Sequence, residues 1–198
     1  MKRIATAITV VLVAASGQVA RGQAASDVRK LYEAGQYQQV IAAVDPDPRV
    51  TFFRAQSFQK LSQTNDARQA YTQLAGRPES DAWHDIGRSA LALMALDPAG
   101  ALEAAMHAIA LNGTLAEAHY QQGLALSARQ DFAGAAAAFQ KASDLDPAWA
   151  YPHYYAGLAY SKVKRVDLTA QHFQMFLRLA PQAPERVEVQ SIMKTLNR

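Results

Sequence analysis

The amino-acid sequence repeats itself every 34 residues, and this period limits the possible folds more than any other feature. Residues 116–149 and 150–183 align without a gap. Within them, five pairs of residues stand 34 positions apart: His119 and His153, Tyr120 and Tyr154, Gly123 and Gly157, Phe139 and Phe173, and Pro147 and Pro181. A constant period of this length indicates an array of stacked supersecondary units.

Weaker copies of the pattern precede these two segments. One copy contains Gly87, which lies 36 residues before Gly123, so we predict two extra residues between its helices. A terminal segment with spaced apolar residues is predicted to form a C-terminal cap helix. We therefore divide the chain into a degenerate N-terminal repeat over 25–47, repeats over 48–79, 80–115, 116–149 and 150–183, and a cap helix over 184–198.

Each repeat is predicted to be a pair of helices. Apolar side chains at i, i+3, i+4 and i+7 fall on one face of a helix, as at Ala135, Ala138, Phe139 and Ala142. A turn signal over 129–131 separates this helix from the one before it. One such pair cannot bury its apolar face alone, whereas a stack of pairs can.

These residues resemble the tetratricopeptide repeat family. Its pattern has Trp, Leu-Gly and Tyr in the first helix, then Ala, Phe and Ala in the second, and then Pro. The matching positions are Trp83, Ile86, Gly87, Ala101, Gly123, Ala135, Phe139, Ala142, Pro147, Gly157, Tyr160 and Pro181. The resemblance covers residues 25–183 and implies an all-α fold, a right-handed superhelical solenoid of stacked helix-turn-helix hairpins. The sequence departs from the pattern at Gly113, His119, His153, Thr169 and Phe176.

Glycine recurs inside the first helices, where it costs about 1 kcal/mol relative to alanine. Its presence at Gly87, Gly123 and Gly157 predicts that the two helices of a pair approach too closely for a β-carbon. We expect Phe139 and Phe173 to fill the space that remains between neighbouring units.

Residues 1–24 have the features of a secretory signal peptide. Two basic residues follow Met1, residues 4–15 form an uncharged apolar run, and small side chains lie at 22–24. We expect cleavage and an exported protein, either periplasmic or secreted. The alternative is an uncleaved membrane anchor, because the uncharged span of 17 residues over 4–20 reaches the lower limit for crossing a bilayer. Membrane contact is expected only through this segment, if it is not cleaved.

Charge and composition argue against several classes of function. Without the three basic residues of 1–24, the chain carries 17 basic and 17 acidic side chains, so a basic surface for nucleic acid is not supported. The sequence has no cysteine, and its five histidines form no pattern of metal ligands. It also has no phosphate-binding loop or nucleophile motif. We expect no enzyme activity, no cofactor and no metal.

The family resemblance implies that the fifth residue of each first helix faces a concave groove. The residues at this position are Phe52, His84, Tyr120 and Tyr154. An aromatic ladder of this kind suits an extended or helical peptide. The resemblance extends the predicted peptide-binding groove to Gln56, Arg88, Leu124 and Lys162. The alternative is that the rings pack on the adjacent helix and are partly covered.

The predicted function is an exported scaffold that binds a peptide or protein partner in its concave groove, in cell-envelope assembly or secretion. Repeats that bind acidic chaperone tails resemble one another in Lys and Asn at the fifth and ninth positions, which here hold neither residue. We therefore expect a mainly apolar or mixed peptide. The alternative function is a structural, self-associating subunit of an envelope complex, and the sequence is compatible with a monomer or an oligomer.

Overall fold

The computed structural model describes residues 24–196, which form eleven α-helices and, within that range, no β-strand. The helices are α1 (24–33), α2 (Tyr37–Ala42), α3 (Pro48–Lys60), α4 (Thr64–Ala75), α5 (Ala82–Met94), α6 (Pro98–Leu111), α7 (Ala116–Ala128), α8 (Phe132–Leu145), α9 (Ala150–Lys162), α10 (Val166–Leu179) and α11 (Arg186–Leu196). The predicted signal segment, residues 1–24, lies outside the described residues except for its last position. No helix of the described range is both long and apolar enough to cross a bilayer.

Four helical pairs stack in chain order. They are α3 with α4, α5 with α6, α7 with α8, and α9 with α10. The second helix of each pair also packs against the first helix of the next pair. This arrangement confirms the predicted all-α fold of stacked hairpins. The two helices α1 and α2 lie within 25–47 apart from residue 24, and α11 lies within 184–198.

Aspartates set the start of several helices. The side chains of Asp47 and Asp81 accept hydrogen bonds from backbone N–H groups two residues later, at 2.8 and 3.0 Å. Asp97 and Asp131 accept from groups three residues later, both at 2.9 Å. Such caps satisfy N–H groups that have no partner within the first turn of a helix.

The helices keep the 34-residue period without interruption. First helices begin at 48, 82, 116 and 150, and second helices begin at 64, 98, 132 and 166. Between paired helices, one residue per turn has a positive φ of 58–65°, and these residues also lie 34 positions apart: Ser62, Leu96, Gln130 and Lys164. The predicted insertion of two residues in 80–115 is therefore wrong. It arose because Gly87 was aligned with Gly123, whose counterpart at the repeat period is Ser89.

The glycines lie at close approaches, as predicted, but they face different neighbours. A β-carbon at Gly123 would stand 2.5 Å from Phe139 Cε1, and one at Gly157 would stand 2.5 Å from Phe173 Cε1. These two glycines therefore admit a buried phenylalanine from the second helix of their own pair. A β-carbon at Gly87 would instead meet the backbone of α4, at 2.6 Å from the amide nitrogen of Ala75.

We predict that Gly123→Ala destabilises the protein by about 1–3 kcal/mol, the usual cost of overpacking a core. The same change in a Phe139→Ala background should be neutral or stabilising by up to about 1 kcal/mol, because alanine favours helix over glycine. Urea unfolding of the four chains in this double-mutant cycle measures the coupling. An equal cost in both backgrounds would contradict the assigned contact.

Candidate functional site

The first helices of the four pairs surround a cavity of about 270 Å³, which we call the inner cavity. Walls come from all four of these helices, and Tyr71 of α4 and Tyr32 of α1 complete them. The lining includes Gln56, Gln59 and Lys60 of α3, Ala90 of α5, Tyr120, Gln121 and Leu124 of α7, and Tyr155 of α9. The inner cavity therefore lies on the side of the stack where the sequence predicts the groove.

The ninth residues of the first helices line the inner cavity at the repeat period. Gln56, Ala90 and Leu124 stand 34 positions apart and all reach the cavity. The sequence assigned this position in α5 to Arg88, which follows from the wrong insertion. Arg88 is exposed, and its Nη1 lies 3.2 Å from Oδ1 of the buried Asp85.

The same correction applies to the fifth position of α5. Ile86, which is buried, stands 34 residues after Phe52 and 34 before Tyr120. His84 was predicted at this position. It is half-buried, and its Nδ1 lies 3.0 Å from the carbonyl oxygen of Arg77 in the loop before α5.

The aromatic residues of the predicted groove are buried. Phe52, Tyr120 and Tyr154 expose 0%, 2% and 7% of their surface. Tyr120 lines the inner cavity, whereas the hydroxyl of Tyr154 donates a hydrogen bond to Glu188 of α11 at 3.1 Å. Lys162 is exposed at the end of α9. A role of these residues in peptide binding stays a prediction.

Instead of an open ladder, the rings form a closed cluster. The Tyr120 ring lies 4.7 Å from Trp149, 5.6 Å from Tyr155 and 6.3 Å from Phe52, measured between ring centroids. The Phe52 ring in turn lies 6.3 Å from that of Trp149, which is 1% exposed. Aromatic pairs at such distances are stabilising beyond the area they bury. The cluster thus joins α3 directly to α7 and to the start of α9.

The N-terminal helix α1 lies across the later repeats. The guanidinium of Arg29 pairs with Asp146 before α9, and Glu33 accepts a hydrogen bond from the Ala150 backbone N–H at 2.7 Å. The ring of Tyr32 lies 5.0 Å from that of Tyr151. The repeat pattern gave no sign of these contacts, because it concerns neighbouring units and these residues are separated by more than 100 positions.

A family model described as tetratricopeptide repeat matches residues 116–149. Together with the stacked pairs, this match shows that the chain has the tetratricopeptide-repeat fold. The comparison with curated proteins found no match.

Three similar solved structures share the fold at low sequence identity. A thermophilic tetratricopeptide-repeat protein of Thermus thermophilus is 18% identical, with a TM-score of 0.60 over 89% of this chain and 98% of that one. The OM64 tetratricopeptide-repeat domain of Arabidopsis is 20% identical, with a TM-score of 0.56 over 59% and 97%. The first such domain of Spaghetti (RPAP3), bound to the HSP90 peptide SRMEEVD, is 12% identical, with a TM-score of 0.55 over 61% and 96%.

Two polar atoms at the inner cavity have no partner among the described residues. The side-chain oxygens of Gln56 and Gln121 are buried and make no hydrogen bond within the described residues. Gln59 differs, because its oxygen accepts from the Tyr71 hydroxyl at 2.9 Å. Buried amides without partners are costly, so these two can gain hydrogen bonds from a ligand or from water.

Sequence reasoning missed Gln121 as a cavity residue. Gln121 and Tyr155 stand 34 positions apart and both line the inner cavity, so the sixth residue of a first helix also faces inward. The sequence contains this information, because Gln121 directly follows the predicted groove residue Tyr120 and stands one repeat before Tyr155. The aromatic residues of the fifth position give a stronger pattern, which does not extend to the sixth position.

The described lining of the inner cavity includes Lys60 and four tyrosines but no histidine or carboxylate. His153 and His172 meet between α9 and α10, with their Nδ1 atoms 3.1 Å apart. Burial, together with the neighbouring His172, lowers the pKa of His153 to about 4. Within residues 24–196, no three His, Asp or Glu side chains are grouped to hold a metal ion.

The carboxyl group of Glu33 is the titrating group that links α1 to the repeats. Burial raises its pKa to about 7, since desolvation outweighs the hydrogen bond from Ala150 and the positive charge of Arg29, both of which favour the ionised form. The charge of Asp146 acts in the same direction as burial. The folded protein therefore holds a proton on Glu33 at pH values where the unfolded chain has lost it.

We predict that Tyr120→Ala lowers the free energy of unfolding by about 3–5 kcal/mol, the usual loss for a large buried ring. Leu124→Ala is the matched control on the same helix, and its cost should be smaller because Leu124 is only partly buried. Urea unfolding compares the two variants. A Tyr120→Ala chain as stable as the wild type would show that this ring lies on an open surface.

We also predict that the contribution of Glu33 to the free energy of unfolding falls as pH rises from about 4.5 to about 7. The group binds a proton more tightly when folded, so its contribution is complete at low pH and is lost through the folded pKa. Glu33→Gln keeps an acceptor for Ala150 and removes this dependence. At pH 8 the variant should be more stable than the wild type, on the order of 3 kcal/mol at most.

Urea unfolding at pH 5 and pH 8 measures the difference between the Glu33→Gln variant and the wild type. At pH 5 the two chains should have nearly equal stability. A variant less stable than the wild type at pH 8 would show that the buried carboxyl group is held in its ionised form.

Proposed function

We propose that the protein is an exported, non-enzymatic scaffold that binds a peptide or protein partner on its inner face, in cell-envelope assembly or secretion. The inner cavity carries this proposal. It combines the buried amide oxygens of Gln56 and Gln121, which have no partner among the described residues, with walls of tyrosine and leucine. A primary amide can both donate to and accept from the main chain of a peptide.

Two further observations support a peptide ligand. The first domain of RPAP3, which shares this fold, is bound to the HSP90 peptide SRMEEVD. In our chain, Gln56, Ala90 and Leu124 stand at the cavity positions where a clamp for acidic tails would need Lys or Asn. The composition of the cavity therefore favours a peptide with apolar side chains and few charges.

Export is proposed from the signal features of residues 1–24. The scaffold role agrees with the family, whose members generally act without catalysis. Envelope assembly or secretion is the setting in which an exported scaffold of this kind would meet its partner.

The proposal is tested with a photo-crosslinking amino acid at Leu124, in cells that produce the full chain. We expect adducts with a partner from this position and none from Lys141, an exposed residue of α8 used as the matched control. Adding Gln121→Ala should lower the adduct yield about three- to tenfold, as the loss of one or two hydrogen bonds would.

Gln121→Ala removes an oxygen that has no partner among the described residues, but it also truncates a buried side chain, so adduct yields are compared at a temperature below the thermal melt of the variant. Equal adduct yields from Leu124 and Lys141 would contradict binding at the inner cavity. If the captured protein is a second copy of the chain, the self-associating structural role is favoured instead.

A further inference from the structure

We propose that α1 is a releasable internal ligand, which occupies the docking surface for a partner helix and must leave before that helix binds. This inference rests on the proposed function and adds its regulation. The docking surface is formed by Phe53 of α3, Glu117 of α7, and Asp146, Ala150 and Tyr151 at and before the start of α9.

The contacts of α1 are those of an amphipathic helix bound in a groove. Arg29, Tyr32 and Glu33 stand at i, i+3 and i+4, so they share one face of the helix. The Tyr32 ring packs 5.6 Å from Phe53 and 5.0 Å from Tyr151, while Arg29 and Glu33 make polar contacts on either side of it. An aromatic anchor between charged residues is a common mode of helix recognition.

Two pockets that open to solvent border the contact between α1 and the repeats. Ser26, Arg29 and Glu117 line one of about 230 Å³, and the other, of about 120 Å³, lies between α1 and the loop over 179–182. Water can therefore reach the edges of this contact, although Ala25 and Tyr32 are buried.

Polar groups at this contact are also left without partners. Arg29 Nε and Glu117 Oε2 are both buried and make no hydrogen bond within the described residues, although they line the same cavity. Glu33 adds the cost of a carboxyl group that is 5% exposed. Each uncompensated group lowers the stability of the docked state.

The connection to α2 allows α1 to leave without disturbing the stack. Only residues 34–36 join the two helices, and Gly35 has a φ of +73°, a conformation that glycine adopts readily. In a chain that starts at residue 25, a helix over 25–33 is marginal by itself in water. Released α1 would thus unfold while the α3–α10 pairs keep their contacts with one another.

Release of α1 changes the proposed partner site directly. Tyr32 forms part of the wall of the inner cavity, next to Gln121 and Tyr155. Its departure opens this wall and frees Asp146 and the Ala150 N–H group for another helix. The segment of the partner that replaces α1 is therefore expected to be an amphipathic helix with an Arg, an aromatic residue three positions later, and a Glu or Gln directly after it, whereas the apolar segment proposed above would lie in the inner cavity.

The test uses a fluorescein-labelled peptide of residues 24–42 as the probe and the chain from residue 25 as the receptor. Arg29→Ala with Tyr32→Ala in the receptor weakens its own α1, so the peptide should bind this variant at least about tenfold more tightly than the wild type. Fluorescence anisotropy measures both affinities. Gln38→Ala with Gln39→Ala, at exposed positions of α2, is the matched control in receptor and peptide and should change neither.

Two further variants sharpen the result. A peptide with the Arg29→Ala and Tyr32→Ala changes should not bind either receptor. Glu33→Gln in an otherwise wild-type receptor should lower the affinity for the peptide below that of the wild type at pH 8. The change removes an ionised, buried carboxyl group, so the receptor's own α1 docks more tightly. The two receptor changes thus act in opposite directions on one equilibrium.

Equal binding to the wild type and the Arg29→Ala, Tyr32→Ala receptor, or binding to neither, would overturn the proposal. So would loss of the cooperative melt in that receptor, because α1 would then be part of the core. Hydrogen exchange of the wild type gives an independent answer: amides of α1 should exchange at least about tenfold faster than those of α7. None of these measurements uses the partner, so their failure leaves the crosslinking test at Leu124 unaffected.

Discussion

The close approach of paired helices at glycine is the constraint on which the rest of the structure depends. Phe139 and Phe173 lie where a β-carbon at Gly123 or Gly157 would stand, so each phenylalanine ring fixes the distance between its two helices. The pair over 82–115 reaches the same geometry with other residues. In this pair Ser89 corresponds to the glycine, and its hydroxyl donates a hydrogen bond to the Ala101 carbonyl. Ala105 corresponds to the phenylalanine. Different residues at the same contact, Gly with Phe or Ser with Ala, are thus compatible with the same period.

A constant period has a direct consequence for the inner face. The same helix positions point inward in these pairs, so Gln56, Ala90 and Leu124 line one cavity. The aromatic residues one turn earlier pack against one another and join α3 to α7 and α9. What remains open on this side is a small cavity with amides at its wall, and α1 covers part of it. The inner cavity is thus partly covered by the chain's own N-terminal helix.

Much of the fold follows from the sequence because stacking is a local interaction between neighbouring repeats. Helical pairs, the close approaches at glycine and the cap helix position could be predicted from periodicity alone. The register of α5 could not be predicted in this way. Gly87 occupies a similar sequence context to Gly123, but it contacts the backbone of the preceding helix α4. That single misalignment moved two predicted groove residues, His84 and Arg88, away from the positions held by Ile86 and Ala90.

The candidate site was harder to predict than the fold. An aromatic residue at the fifth position of a first helix can face an open groove or pack in a cluster of other rings. Which of the two occurs depends on where α3 and α1 lie. Their contacts join residues such as Arg29 and Asp146, or Lys60 and Glu185, that are far apart in sequence and follow no repeat. Long-range pairing of this kind depends on the curvature of the whole stack, which a single sequence does not display.

The most direct test of this account is the nuclear Overhauser effect between the rings of Tyr32 and Tyr151 in the chain from residue 25. The ring centroids lie 5.0 Å apart, so cross-peaks between the two rings are expected. They should be accompanied by cross-peaks from Tyr32 to Phe53. A Tyr32 ring that shows contacts only to α2, with none to α3 or α9, would contradict the placement of α1 on the later repeats.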